Sequence, residues 1–366
     1  MKPLGLGVVG CGVIAIQSVF EHFEVGDLGD RVYLEACCDP VPGRAKEAAE
    51  KWGIKTYYED LDEMLKNENV DIVTICSPIS LHYEQGLKCI KAGKGVHFNK
   101  TMSLTSAEAD EMIAEAEKRG VKLVVSPGMM LYTVNRKVRK ALLNGEIGDI
   151  IWAFTGGSGV MFYHVEEQLR QGGKIVPTWY YKQPSGGPMY DSTIYNIHAL
   201  VGIMGPVKRV SCMAGQIMKS FQYGDTKIDS EVDDNLFMLL DFGDSRFAML
   251  YSGLKGEPVQ TMPPSIFGTK GEVNNGCLNG VKLFEGRDKM GSLNISEAQR
   301  KLPQPHVFAD VMQLVDAVRE DKPIIATAEM GRHCVEIIEA GFESAKTGRV
   351  VELRTTFTPL PLEELD

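Results

Sequence analysis

The sequence predicts an α/β domain followed by an α+β domain: an N-terminal Rossmann-type parallel sheet, then a C-terminal domain on a mostly antiparallel sheet. Three observations predict this. Apolar runs alternate with helix-like segments early in the chain, which is the pattern of βαβ units. The first run breaks at a glycine turn, Gly10-Cys11-Gly12-Val13-Ile14-Ala15. After about residue 150 the alternation stops, and strand-like runs follow one another across short polar turns.

The elements justify themselves in order. Residues 4–9 are apolar and end in the glycine turn; residues 14–22 suit a helix. Residues 32–38 form a second run closed by Asp39-Pro40, and residues 44–52, with Ala45, Ala48 and Ala49, suit a helix. Residues 60–65 read as a short acidic-capped helix, 70–76 as a third strand and 81–92 as an amphipathic helix. Residues 95–99 are a fourth strand, 106–119 a helix entered at Ser106, and 121–125 a fifth strand. Strands buried on both faces read as continuous apolar runs, and these do. Strands are then expected at 151–154, 207–216, 235–242, 246–253 and 265–268, with a hairpin turn at Gly243-Asp244. Helices are expected at 189–204, 305–320 and 332–347. The boundaries read as 1–127 for the first domain and 128–366 for the second, with the C-terminal helix a candidate to return to the first.

Composition narrows the partners. The chain has 366 residues, 44% hydrophobic, with 39 Lys and Arg against 49 Asp and Glu, a formal net charge of -10. An acidic protein repels nucleic acid and anionic lipid, so neither is an expected partner. Residues 1–10 run straight into the glycine turn and read as a strand, not a signal peptide. No run approaches the roughly 18 apolar residues of a membrane span. The eight cysteines form no CxxC pair and sit mostly in apolar runs, which suggests reduced core thiols in a cytoplasmic protein and no zinc site.

The glycine turn follows a strand and opens a helix, the context a dinucleotide site requires. Gly10 makes the tight turn, Gly12 lets the backbone approach a pyrophosphate, and Ala15 permits close helix packing. The N–H groups at Val13 and Ile14 then face the phosphates. Asp39 ends the second strand, where a carboxylate accepts both adenosine ribose hydroxyls and repels a 2′-phosphate; NAD is expected over NADP. Arg44 is close enough to soften that preference. Asp39 also fits a plain strand-ending turn residue. Ser77-Pro78 closes the third strand at the sheet's ligand-binding edge, and His82 either contacts the cofactor or caps the next helix.

These segments, with the strand Gly95-Val96-His97-Phe98-Asn99-Lys100, the run Ser185-Gly186-Gly187-Pro188-Met189-Tyr190-Asp191 and the ending Ser344-Ala345-Lys346-Thr347-Gly348-Arg349, resemble the Gfo/Idh/MocA family over nearly the whole chain. The resemblance implies an NAD(P)-dependent sugar or inositol oxidoreductase, and the overall look is to members that oxidise C3 of a glucoside. The family carries Glu-Lys-Pro after its fourth strand, where this chain has Asn99-Lys100-Thr101. The Glu usually helps hold the nicotinamide ribose, and the Pro is linked to a special peptide geometry. The family's second motif ends in a catalytic His, where this chain has Tyr195; His198 lies three residues on.

The chemistry follows from the residue types. Oxidising a ring hydroxyl requires removing a proton while hydride leaves for the nicotinamide. Lys100 at a strand end is the candidate base or hydrogen-bond donor, with Tyr195 or His198 as its partner in proton transfer. Asp191 suits a substrate diol, and Trp179 and Tyr180 suit stacking on a sugar face, or sheet and interface packing. His164 and His306 are further candidates in the second domain. Two other readings differ in class: an enzyme with tightly held NAD whose transient oxidation drives redox-neutral exchange, elimination or isomerisation, and a non-enzymatic dinucleotide sensor. A sugar-sized substrate is the expected partner, and an open sheet calls for a homo-oligomer.

Overall fold

The computed structural model describes residues 2–158, 178–223, 225–255, 263–284 and 295–365. The chain forms two compact units: Met1–Leu131 with Ser292–Gly331, and Tyr132–Gly291 with Arg332–Asp366. His164 lies outside the described residues.

The first unit holds a six-stranded sheet of β1 (Leu4–Val9), β2 (Val32–Cys38), β3 (Thr56–Tyr58), β4 (Ile72–Ile75), β5 (Gly95–Phe98) and β6 (Leu123–Val125). Its order is β3-β2-β1-β4-β5-β6, and every pairing is parallel. β4, β5 and β6 are buried at every residue, which is why they read as unbroken apolar runs. The order reverses between β1 and β4, and the crevice beyond the carboxyl ends at such a reversal is where open α/β sheets bind ligands.

Two local details sharpen the sequence reading. The helix after the glycine turn spans Val13–Ala15, a π turn at Ile16–Phe20 and Glu21–Phe23; Ser18 Oγ donates to the Ile14 carbonyl at 2.5 Å. The helix entry expected at Ser106 sits one residue earlier. Thr105 Oγ1 accepts the Glu108 N–H at 3.2 Å while Glu108 Oε2 accepts the Thr105 N–H at 3.1 Å, a reciprocal cap.

The segment that completes this core from far along the chain is the helix Pro305–Glu320. Its Phe308, Val311, Met312, Leu314 and Val315 join Leu6, Val8, Ile72 and Val124 in one apolar cluster. From Arg332 onward the last helix belongs to the second unit. His306 therefore sits in the first unit, not in the second where the sequence reading put it. Chain order alone does not reveal that a helix rejoins an earlier core.

The second unit is built on a nine-stranded sheet. All neighbours are antiparallel except Ile150–Ser158 and Phe247–Gly253, which run parallel. The expected hairpin is present: Asn235–Asp241 pairs with Phe247–Gly253 across Gly243, Asp244 and Ser245, all at positive φ. A separate hairpin joins Ser220–Tyr223 to Thr226–Asp229. Leu236, Met238 and Leu240 point inward, and Phe237 and Leu239 outward. The helical segment Met189–Thr193 and Ile194–Met204 is tied to the sheet by Thr193 Oγ1 to Ser252 Oγ at 2.6 Å and by Asn196 Nδ2 to Thr155 Oγ1 at 3.1 Å.

Apolar periodicity does not announce the helix Thr133–Leu143. Its buried residues include Asn135, Arg136 and Arg139, so polar side chains interrupt the stripe. Arg139 is satisfied by the carbonyls of Leu360, at 2.6 Å, and Ile203, at 2.8 Å. All eight cysteines are free thiols.

Candidate active site

The glycine turn meets its geometric requirements. Gly10 has φ 87°, and a Cβ there would lie 3.0 Å from the Cys76 carbonyl and the Ser77 nitrogen. Only glycine fits that conformation and that closeness without strain. A Cβ on Gly12 would meet nothing within 4 Å, so the space above the turn is open on the side a pyrophosphate approaches. Val13 and Ile14 begin the helix there, with their backbone N–H groups at its positive end. The turn thus fits a dinucleotide.

Asp39 is 3% exposed at the end of β2. Its Oδ2 accepts the Cys11 N–H of the turn at 2.9 Å, and Oδ1 accepts the Val41 N–H at 3.0 Å. Arg44 lies 3.4 Å from both carboxylate oxygens. The carboxylate is therefore a fixed part of the turn.

Beyond β4, Ser77 is half-buried and Pro78 exposed. Ser77 Oγ donates to Gln85 Oε1 at 2.5 Å. Asn99 is buried beyond β5, and its Oδ1 accepts the Lys100 N–H at 2.9 Å. Lys100 is half-buried, and the Lys100–Thr101 peptide is cis. His82 is 1% exposed, with Nδ1 2.6 Å from the Thr101 carbonyl and Nε2 2.9 Å from the Ser77 carbonyl. Burial, with the Lys100 charge, lowers its pKa, while the two carbonyls pull it upward. His306 also feels Lys100: burial first, then that charge, pushes it down to about 4.

A buried polar row that no motif signals crosses the sheet beneath these loops. Thr74 Oγ1 lies 2.7 Å from His97 Nδ1, and His97 Nε2 lies 2.9 Å from Ser126 Oγ. Ser126 Oγ donates to Asp310 Oδ2 on the helix Pro305–Glu320, which also accepts the Gly128 N–H at 3.0 Å. Burial pushes His97 down to about 3, so its ring is neutral and has one N–H. Ser126 donates onward, so it receives the Nε2–H, and Thr74 donates to Nδ1. Burial pushes Asp310 up to about 7 against the pull of Ser126 and Gly128. Thr74 and His97 could be suspected from sequence as polar residues inside apolar runs; the Asp310 connection could not.

In the second unit, the turn Thr178–Tyr181 leads into the glycine pair. The Gly187 N–H donates to the Tyr180 carbonyl at 2.7 Å. A Cβ on Gly186 would lie 2.4 Å from that same carbonyl, so the aromatic turn closes on the helix start only with glycine there. Asp191 and Tyr195 are half-buried, four residues apart, whereas His198 is 1% exposed. Trp179 keeps 38% exposure, but Tyr180 is 3% exposed among Tyr181, Phe221, Val232 and Leu254. Burial, then the Asp191 charge, pushes the Tyr180 phenol well above its ordinary pKa. Of the two aromatics, Trp179 is the more exposed and Tyr180 lies in an apolar cluster. Among the described residues no group of three or more His, Cys, Asp or Glu could hold a metal. Among the same residues no helix is long and apolar enough to cross a membrane.

Two family models match the chain. Residues 4–126 match the oxidoreductase family Gfo/Idh/MocA, NAD-binding Rossmann fold, and residues 139–353 its C-terminal α/β domain. D-glucoside 3-dehydrogenase of Escherichia coli is 27% identical over 96% of this chain and 98% of that protein. Myo-inositol 2-dehydrogenase of Thermotoga maritima is 27% identical over 95% of this chain and 98% of that one. The crystal structure of an oxidoreductase from Agrobacterium radiobacter, in complex with NAD+, L-tartaric acid and magnesium, has a TM-score of 0.74 and 19% identity, covering 96% of this chain and 98% of that chain, and shares the fold.

Proposed function

Because the chain belongs to the Gfo/Idh/MocA oxidoreductase family, we propose that it is an NAD-dependent dehydrogenase of a sugar or glucoside, acting at the C3 hydroxyl. The observation that carries this reading is the likeness to D-glucoside 3-dehydrogenase along nearly the full length of both chains.

NAD, when bound, supplies the acceptor for the hydride that leaves the hydroxyl-bearing carbon. Gly12, Val13 and Ile14 hold its pyrophosphate through backbone N–H groups, and Gly10, whose own N–H donates to the Cys38 carbonyl at 2.8 Å, makes the tight turn that brings them there. Asp39 receives the ribose hydroxyls and disfavours a 2′-phosphate, with Arg44 moderating that choice. Ser77, Pro78, Asn99 and Lys100 serve the nicotinamide end. Lys100 binds the reacting hydroxyl oxygen and, with Tyr195, takes its proton as the hydride departs. Tyr195 is preferred to His198 because it shares a half-exposed helix face with Asp191, while His198 is buried. Asp191 accepts hydrogen bonds from neighbouring substrate hydroxyls, and Trp179 offers a ring face to the sugar. The outward apolar face of the second sheet is covered by a second copy of the chain.

The experiment is turnover of purified protein with NAD, and separately NADP, on a panel of methyl glucosides and inositols. Nicotinamide absorbance and mass spectrometry of a 3-oxo product are read together. Reduction of NAD with a 3-oxo glucoside supports the reading; inositol turnover without glucoside turnover moves the substrate, and no turnover on any member sinks it. Lys100→Met should lower kcat about 10²–10⁴-fold, the range for loss of a positioned acid–base group, while NADH still binds.

A further inference from the structure

We propose that His82 is a positioning residue that ties the loop after β4 to the loop that carries Lys100. This rests on the reading of Lys100 as a proton-transfer group. Each ring nitrogen of His82 meets a main-chain carbonyl: Ser77 at 2.9 Å and Thr101 at 2.6 Å. Carbonyl oxygens only accept, so a neutral ring, with one N–H, donates to one of the two carbonyls at a time, and both contacts are complete only when the ring carries two N–H groups. The ring is buried, and it spans two segments 24 residues apart in sequence (Ser77 and Thr101) that end adjacent strands.

Ser77 is itself a fixed point. The glycine turn packs its Gly10 Cα against the Cys76 carbonyl and Ser77 nitrogen, where an added Cβ would be at 3.0 Å. On the other side the Lys100 segment is braced by Asn99 Oδ1 on the Lys100 N–H at 2.9 Å, by Thr101 Oγ1 on the Ser103 carbonyl at 2.6 Å and by the Asn99 N–H on the Ile75 carbonyl at 3.1 Å. His82 adds the tie to the loop after β4. A continuous set of contacts thus runs from the dinucleotide turn through Ser77 and His82 to the residue after Lys100. It sets where the lysine stands relative to the cofactor turn. Displacement of a reacting group by about 1 Å costs on the order of 10²-fold in rate. The same geometry replaces the idea that His82 touches the cofactor, because both ring nitrogens face protein.

The test uses the full chain with His82→Leu, which keeps volume without donors, and His82→Gln, whose amide nitrogen can donate two hydrogens. NADH affinity is measured by fluorescence titration, kcat and KM with NAD on the best methyl glucoside, and Lys100 reactivity by reductive methylation of the NADH complex read by mass spectrometry. His82→Leu should leave NADH affinity within about threefold, lower kcat about 10–100-fold, and change the Lys100 methylation rate; His82→Gln should recover much of the kcat. If His82→Leu does not fold, His82→Asn, able to reach one carbonyl, replaces it. Unchanged kcat in a protein that Lys100→Met inactivates overturns the proposal. So does a tenfold loss of NADH affinity with kcat intact, which would mark a cofactor contact. Should Lys100→Met remain active, the reading of Lys100 fails, and the methylation rate alone then decides the tie: unchanged in His82→Leu, the tie is wrong.

Discussion

The two sheets bury their strands in opposite ways. In the first unit β4, β5 and β6 are buried at every residue, and a polar side chain there has to find a partner inside. Thr74 and His97 do so through Ser126 and Asp310. In the second unit the strand Asn235–Asp241 alternates, with Leu236, Met238 and Leu240 fully inside and Phe237 and Leu239 at 49% and 60% exposure. Met213 and Trp152 extend this outward apolar face, and Trp152 stacks on Phe267 at 4.5 Å. The same residue type therefore has a different meaning in each sheet. In the parallel sheet position along the strand hardly matters; in the antiparallel one its parity decides everything.

Neighbouring leucines give the sharpest break of that comparison. Leu240→Ala should cost about 2–5 kcal/mol, as expected for emptying a core site. Leu239→Ala, one residue away, should stay within about 0.5 kcal/mol. Equal costs in denaturant titrations would show that the outer face is as buried as the inner. The next effect belongs to the first sheet. Asp310 titrates near 7 in the fold, against an ordinary value of 3.8. Its contribution is fully present below the unfolded value and is lost as pH rises through about 7, because ionisation is harder in the fold than out of it. Asp310→Asn removes that ionisation, so the unfolding free energies of the two proteins, from denaturant titrations between pH 5 and pH 8, should shift progressively in the variant's favour, by on the order of a few kcal/mol. Parallel curves would mean that Asp310 does not titrate there. The smallest effect on stability, and a change in assembly, is expected from Phe237→Ser with Leu239→Ser. Stability should move little, and light scattering should report a smaller particle than wild type. An unchanged mass would place any partner elsewhere.

Much of the candidate site was legible because it depends on local geometry. A strand, two glycines and a helix start are contiguous, so Gly10-Cys11-Gly12 could be recognised before any contact was known, and Asp39 followed from ending the next strand. Asn99-Lys100-Thr101 and Gly186-Gly187 were equally local. The parts that were not legible depend on residues far apart in sequence. His306 and Asp310 join the first unit because the helix Pro305–Glu320 returns to it.

By itself, the sequence determined the two classes of sheet, the dinucleotide turn and the residue types available for proton transfer, because hydrophobic period and turn chemistry are written in neighbouring residues. Tertiary structure alone decided which candidates stay accessible and which become structure. It buried Tyr180 and His198 while leaving Trp179 and Tyr195 partly open. It set His82 between two carbonyls and closed the row from Thr74 to Asp310. Burial and hydrogen-bond partners are properties of the packed chain, and packing brings together residues that the sequence keeps far apart.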